Sequence, residues 1–232
     1  HVLAAGLLKL GVKKGDKVAL LSEGRNAWII GELAILHTGA VNVPLSIKLE
    51  ESNDLIFRLV HSEAKYIMVS GSQLKKIRTI ANALPDIKSI IIFDEQVDYE
   101  PNEISLTQLK QWGKDFLLKN PDAVINSSLS IQADDIANIS YTSGTTADPK
   151  GIMLTHRNYT ANVEQALTLM TIPPTFRTLI ILPLDHCFAH VAGFYSFMAS
   201  GASVGRFRMV KPVLKRLETS LQILKNCNPI YC

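Results

Sequence analysis

Cysteine is scarce in this chain. Three in 232 residues, Cys187, Cys227 and Cys232, have neither the number nor the spacing of a disulfide framework or a cysteine-ligated metal. A reducing, cytoplasmic setting is therefore expected. No apolar run reaches the roughly 18 residues that a membrane-spanning helix needs. The opening His1-Val2-Leu3 has no start Met and no charged segment leading to a cleavage site, so a secretory signal peptide is not expected. Aromatic residues make up only 7%, and no basic stretch is interleaved with them, which argues against a nucleic-acid-binding module. Repeats and low-complexity tracts are also absent. What is present is 47% hydrophobic residues, enough for a sizeable core. The net charge of +3 is unevenly spread: residues 205–232 hold six basic residues and one acid, leaving 18 basic and 20 acidic residues before them.

The first hundred residues alternate between two kinds of pattern. Val2 to Leu10 reads as an apolar helix closed by Gly11 as its C-cap. Lys17 to Ser22 is a buried strand. Asn26 is placed to cap a helix to about His37, with Trp28, Ile29, Leu33 and Leu36 on its apolar face. Gly39 to Leu45 turns into a second strand. Helical spacing follows at Ser52 to His61 and Ser72 to Ala83, with strands at Lys65 to Ser70 and Lys88 to Phe93. Such alternation, with near-continuous apolar strands, predicts an α/β fold of doubly wound, mostly parallel sheets flanked by helices.

The pattern then loosens. Asp94 to Glu103 is acidic and reads as a loop, Ser105 to Leu118 as an amphipathic helix, and Pro121 to Gln132 as a polar connector, so residues 94–133 are expected to form a solvated insertion. Strand character returns at Ile136 to Tyr141 and again from Ile152. A helix is expected over His156 to Met170, a strand over Arg177 to Leu184, a helix over Val191 to Ser200 and a strand from Gly201. Tyr195 and Phe197 are expected in the core, and Cys187 as a small buried apolar residue.

Between the strands ending at Tyr141 and starting near Ile152 lies Ser-Tyr-Thr-Ser-Gly-Thr-Thr-Ala-Asp-Pro-Lys-Gly, residues 140–151. Thr142, Ser143, Thr145 and Thr146 supply hydroxyls. Gly144 allows close backbone approach. Lys150 adds a mobile positive charge suited to phosphate. Pro149 forbids a regular helix just before that lysine. Together these make an anion cradle, most naturally for a polyphosphate. It is not the common P-loop, in which Gly-Lys precedes Ser or Thr and opens a helix; here the loop joins two strands.

This stretch resembles the AMP-binding signature of the adenylate-forming enzymes, Tyr/Thr-x-Ser-Gly-Thr-Thr-Gly-x-Pro-Lys-Gly. The matches are Tyr141, Ser143, Gly144, Thr145, Thr146, Pro149, Lys150 and Gly151, and Ala147 is the departure. Two further blocks in the family's order, Gly39-Ala40 to Pro44-Leu45 and Leu182-Pro183-Leu184-Asp185-His186 followed by Gly201-Ala202, are similar as well. The resemblance covers residues 1 to about 204 and is closest to long-chain fatty acyl-CoA synthetases.

The resemblance implies a partial N-terminal AMP-binding domain over 1–204 and a two-step ligase reaction using ATP, Mg²⁺ and CoA on a fatty acid. A carrier-protein thiol as acceptor and a non-catalytic nucleotide-binding module are the alternatives. It implies phosphate contacts from Thr142, Ser143, Gly144, Thr145, Thr146, Lys150 and Gly151, with Thr142 also a candidate Mg²⁺ contact. His186 corresponds to the family histidine near the reacting carboxylate; its structural alternative is a satisfied histidine at a strand end. At His190, where some members place a tunnel gate, the structural reading is preferred. Peripheral membrane contact stays open, since long-chain substrates partition into membranes, as does the oligomeric state. The family's later adenine, ribose and catalytic-lysine blocks do not occur, so this chain by itself is expected to be inactive in the full reaction. Residues 205–232 form an atypical basic tail without family character. Either a shifted frame or truncation accounts for it, or a divergent native helix with Leu214, Leu217, Leu221 and Leu224 on its apolar face.

Overall fold

The computed structural model describes residues 1–142, 149–180, 182–186 and 188–206. The central loop, Cys187 and the tail beyond Arg206 lie outside the described residues. The chain divides into two compact units, His1–Arg157 and Asn158–Cys232. Among the described residues no helix is long and apolar enough to cross a membrane.

In the first unit the elements follow in the order α1 (Val2–Leu10), β1 (Lys17–Leu21), α2 (Asn26–His37), β2 (Val41–Leu45), α3 (Ser52–His61), β3 (Ala64–Val69) and α4 (Gly71–Ile80). After α4 come a 3₁₀ turn (Ala81–Ala83), β4 (Ser89–Ile92), β5 (Glu103–Ser105), α5 (Leu106–Lys119), α6 (Ala123–Leu129), β6 (Ile136–Tyr141) and β7 (Gly151–Thr155). They form one seven-stranded sheet in the order β5-β4-β3-β1-β2-β6-β7. Every neighbouring pair is parallel except β6 and β7, which form an antiparallel hairpin. The expected doubly wound, mostly parallel sheet is therefore present.

Its strands carry apolar residues on both faces because both faces are covered. On one side Leu55 and Leu59 of α3 and Leu74, Ile77 and Ile80 of α4 pack on Ala19, Leu21, Val43, Ile67, Val69 and Ile92. On the other, Gly31 of α2 lies against Met68 and Phe93, and Val18, Leu20 and Ile91 are fully buried. Parallel strands read as continuous apolar runs for this reason.

Four expectations are corrected. Arg25, not Asn26, is the N-cap of α2. The buried residues of that helix are Trp28, Ile29, Gly31, Glu32, Ala34 and Ile35, while Leu33 and Leu36 are half-buried. The helix touches α1 and α6 as well as the sheet, so its covered arc is displaced from a simple apolar stripe. Segment 94–133 is not a solvated insertion. Leu109 and Val124 are fully buried or nearly so, α5 packs along α1, and the supposed connector contains α6. Finally, Glu103 starts a fifth parallel strand. Its carboxylate is buried but takes two bonds from Arg78, Nε to Oε1 at 2.9 Å and Nη2 to Oε2 at 2.6 Å, and a third from the Glu100 N–H at 3.0 Å. A lone acid in a three-residue strand reads as loop until its partner, 25 positions earlier, is known. Burial pushes the Glu103 carboxyl up, but the Arg78 bonds, the Glu100 N–H and the Arg78 charge together outweigh it, so the net shift is downward.

The α1–α5 contact is close enough to require glycine. A Cβ on Gly113 would collide with the Val2 carbonyl oxygen and lie 2.8 Å from the Gly6 nitrogen. Gly113→Ala is expected to force the two helices apart and cost about 1–3 kcal/mol, read as a lowered urea midpoint for the first unit; an unchanged midpoint would mean that the contact yields freely.

Candidate functional site

β6 and β7 carry the candidate loop as a strand–loop–strand hairpin, as expected. Their register sets Tyr141 opposite Gly151, and the Thr142 N–H donates to the Lys150 carbonyl at 3.1 Å. Thr142, Lys150 and Gly151 thus meet at the neck of the hairpin, with Thr142 and Lys150 exposed. Ser143, Gly144, Thr145 and Thr146 lie outside the described residues.

Successive residues of β6 face opposite sides of the sheet, and each side fastens the neck differently. On one side Asn42 Nδ2, from β2, donates to Asn138 Oδ1 at 3.1 Å and to Glu32 Oε1 of α2 at 3.2 Å. Asn138 Nδ2 then donates to Ser140 Oγ at 2.7 Å. Asn42, Asn138 and Glu32 are all buried. On the other side the Tyr141 hydroxyl meets the Arg58 carbonyl oxygen at 3.2 Å and His61 Nδ1 at 2.8 Å. Burial raises the pKa of Tyr141 above the ordinary phenol value, against the lowering influence of the Ser62 hydroxyl and the Arg58 charge. Motif reasoning missed these supports. The available signal was an asparagine within each of two otherwise apolar strands, Val-Asn-Val and Ala-Asn-Ile.

The second unit comprises α7 (His156–Leu169, whose first two residues belong to the first unit), β8 (Arg177–Ile180), a π-helix (Ala189–Tyr195), α8 (Ser196–Ala199) and β9 (Ser203–Arg206), with β8 and β9 parallel. His186 stands exposed in the turn before the π-helix. Its N–H donates to the Pro183 carbonyl at 3.2 Å, and its own carbonyl accepts from Ala189 N at 2.9 Å and His190 N at 3.3 Å. The ring Nδ1 accepts from Phe188 N at 3.3 Å, which places the ring proton on Nε2. His190, by contrast, is fully buried. Its Nδ1 lies 3.2 Å from the Tyr159 hydroxyl. Its pKa falls to about 4, first through burial and then through the nearby His186, against a hydrogen bond to the Leu184 backbone. Two core expectations are corrected: Phe194 and Ser196 are buried, whereas Tyr195 and Phe197 are half-buried. The π-helix supplies the reason, because its wider turn shifts the phase of every residue after it relative to a 3.6-residue repeat. Among the described residues no group of three or more His, Cys, Asp or Glu is placed to hold a metal.

The first unit is thus a mostly parallel α/β sheet whose terminal hairpin carries the motif. The chain belongs to the AMP-binding enzyme family, whose sequence model matches residues 1–229, beyond residue 204 where the motif resemblance stops. It is 31% identical over 204 residues to chalcone synthase cfoA of Aspergillus candidus, covering 87% of this chain and 7% of that protein. It is 29% identical over 217 residues to the long-chain-fatty-acid–CoA ligase ACSBG2 of Xenopus laevis, covering 88% of this chain and 28% of that protein. The chain thus spans well under half the length of these relatives. The crystal structure of the anthranilate CoA ligase AuaEII in complex with anthranoyl-AMP matches with a TM-score of 0.78 at 21% identity, over 95% of this chain and 40% of that one; this likeness establishes the fold.

The depressed His190 pKa has a consequence for acid stability. The unfolded chain takes up a proton near the ordinary value of 6.5 while the folded one resists until about 4. The unfolded state therefore binds more protons in that window, and stability falls as pH drops through it. His190→Asn is expected to flatten this decline, measured by urea unfolding of the second unit between pH 7 and pH 4 (on the order of 1 kcal/mol or more); an unchanged slope would remove His190 as its source.

Proposed function

We propose that this chain is part of an ATP-dependent, AMP-forming acyl ligase that activates a fatty carboxylate and passes it to the thiol of CoA. The observation that carries the reading is the eight-residue signature match set at the neck of a β-hairpin, with exposed Thr142 and Lys150 joined across it. The fatty-acid assignment is supported by the similarity to the ACSBG2 ligase.

In the first step a carboxylate oxygen bonds to the α-phosphorus of ATP while the bond to the bridging oxygen of the β-phosphate breaks, and pyrophosphate leaves. In the second, the thiol sulfur attacks the acyl carbon of the adenylate, AMP leaves, and the thiol proton passes to solvent. The obstacle in the first step is an anion attacking a polyanion, so catalysis consists of charge neutralisation and in-line alignment. Lys150 supplies a point charge to the phosphates. Ser143, Thr145 and Thr146 supply hydroxyl donors, and the backbone at Gly144 and Gly151 supplies N–H groups. Thr142, exposed at the neck, is the residue that would contact a magnesium ion bound with the nucleotide, and that ion would neutralise phosphate charge. His186, with its ring proton on Nε2, is the donor assigned to the α-phosphate and carboxylate oxygens.

Calorimetry with ATP–Mg²⁺ tests the reading. The chain is expected to bind, and Lys150→Ala to weaken binding about tenfold or more, the worth of one bond to a charged group. The melting temperature should stay unchanged, because Lys150 is exposed. A folded parent chain that shows no binding, or a Lys150→Ala variant that binds as well as the parent, would overturn the assignment.

A further inference from the structure

Tyr141 is the last strand residue before the loop, and its side chain is held by an element outside the hairpin. The Arg58 guanidinium carbon lies 5.7 Å from the centre of its ring. His61 meets that ring edge-on at 5.8 Å and is itself stacked on Phe57 at 5.2 Å. The Tyr141 hydroxyl donates its one hydrogen to the Arg58 carbonyl, so at His61 it must accept, and His61 must carry its proton on Nδ1. Arg58 is anchored in turn to Asp54, with Nη1 2.8 Å from the backbone oxygen and 3.6 Å from the carboxylate. The opposite face of β6 is tied down by Asn42, Asn138 and Ser140. One residue further on, the Thr142 amide closes the neck onto Lys150.

We propose that the C-terminal turn of α3 is a clamp on Tyr141, and that Arg58 and His61 are positioning residues for the hairpin neck. The clamp fixes where Thr142 and Lys150 stand relative to the sheet. A flexible neck would have to lose its freedom when a polyanion bound; a neck already tied to a helix has lost it during folding, and the ligand is gripped at lower entropic cost. The clamp rests on the proposed function only for the identity of what the neck grips.

The test is residue-resolved amide hydrogen exchange on the whole chain, read at Thr142, with Leu20 and Met68 as core references. Tyr141→Phe keeps the ring and removes the hydroxyl; His61→Ala removes the partner. His61→Ala, which removes one hydrogen bond, is expected to speed exchange at Thr142 about five- to tenfold, and Tyr141→Phe, which removes two, at least as much, with the core amides unchanged. The double variant should exchange no faster than Tyr141→Phe, and His61→Asn, whose Nδ2 replaces Nδ1, should restore slow exchange. An unmoved Thr142 amide, a rise shared by Leu20 and Met68, or additive single effects would overturn the clamp. ATP–Mg²⁺ titration of the same proteins separates the two proposals. Weaker binding by Tyr141→Phe supports both; a folded parent that binds no ATP while Thr142 responds as expected keeps the clamp and overturns the ligand.

Discussion

The first unit depends on one buried joint. β2 and β6 pair at Asn42 and Asn138, and this pairing attaches the hairpin to the parallel sheet. Two apolar strands could meet there in several registers at similar cost. Two buried amides restrict the choice, because sliding either strand would break the Asn42 Nδ2–Asn138 Oδ1 bond and add to the one buried atom of the pair already without a partner, Asn42 Oδ1, in a medium where that is expensive. Glu32 of α2 joins the same network through Asn42, so the helix, the parallel sheet and the hairpin are set in one arrangement. The candidate loop then inherits its position from packing far beneath it.

The C-terminal ends of the parallel strands are closed by charge in a comparable way. Arg25 reaches Asp94 through two bonds at 2.8 and 2.7 Å, and the same carboxylate accepts from the Gly71 amide that opens α4. Burial pushes Glu23 up, yet donors from Ser72, Gln73 and Ser70 outweigh it and hold the carboxyl at about 2. These groups link the ends of β1, β3 and β4 to the start of α4. Of the acidic stretch after β4, Asp94 and Glu103 at its two ends are taken up by Arg25 and Arg78, while Glu95 and residues 97–102 between them are exposed.

The second unit shows how local irregularity separates two histidines four residues apart. His186 terminates a turn and stays exposed, while His190 enters a π-helical turn and is buried beside Tyr159. The His186 ring is exposed, with its Nδ1 engaged by the Phe188 N–H. Burial suits His190 to holding the turn, and this difference does not register in residue type or spacing.

Pattern alone was sufficient for α1 through β4, for α5 and for the hairpin, because each of those segments has a period, a cap or a turn residue that settles its local conformation. The signature from Tyr141 to Gly151 was likewise legible, since hydroxyls, glycine and lysine at fixed spacing carry their chemistry in the residues themselves. β5, α6, the covered arc of α2 and the phase of the helix after His186 were not legible. Glu103 becomes a strand residue only because Arg78 reaches it, and Val124 is a core residue only because α2 and α1 lie above it. Ser196 is buried only because a π-turn precedes it. The asparagine joint and the Tyr141 clamp belong with these: their partners lie 96 positions apart in one case and 80 in the other. Local sequence determined which chemistry the chain carries and on what elements. Tertiary structure alone decided which polar groups are buried together, because the free energy of a buried amide or carboxylate is set by its partner and not by its neighbours in the chain.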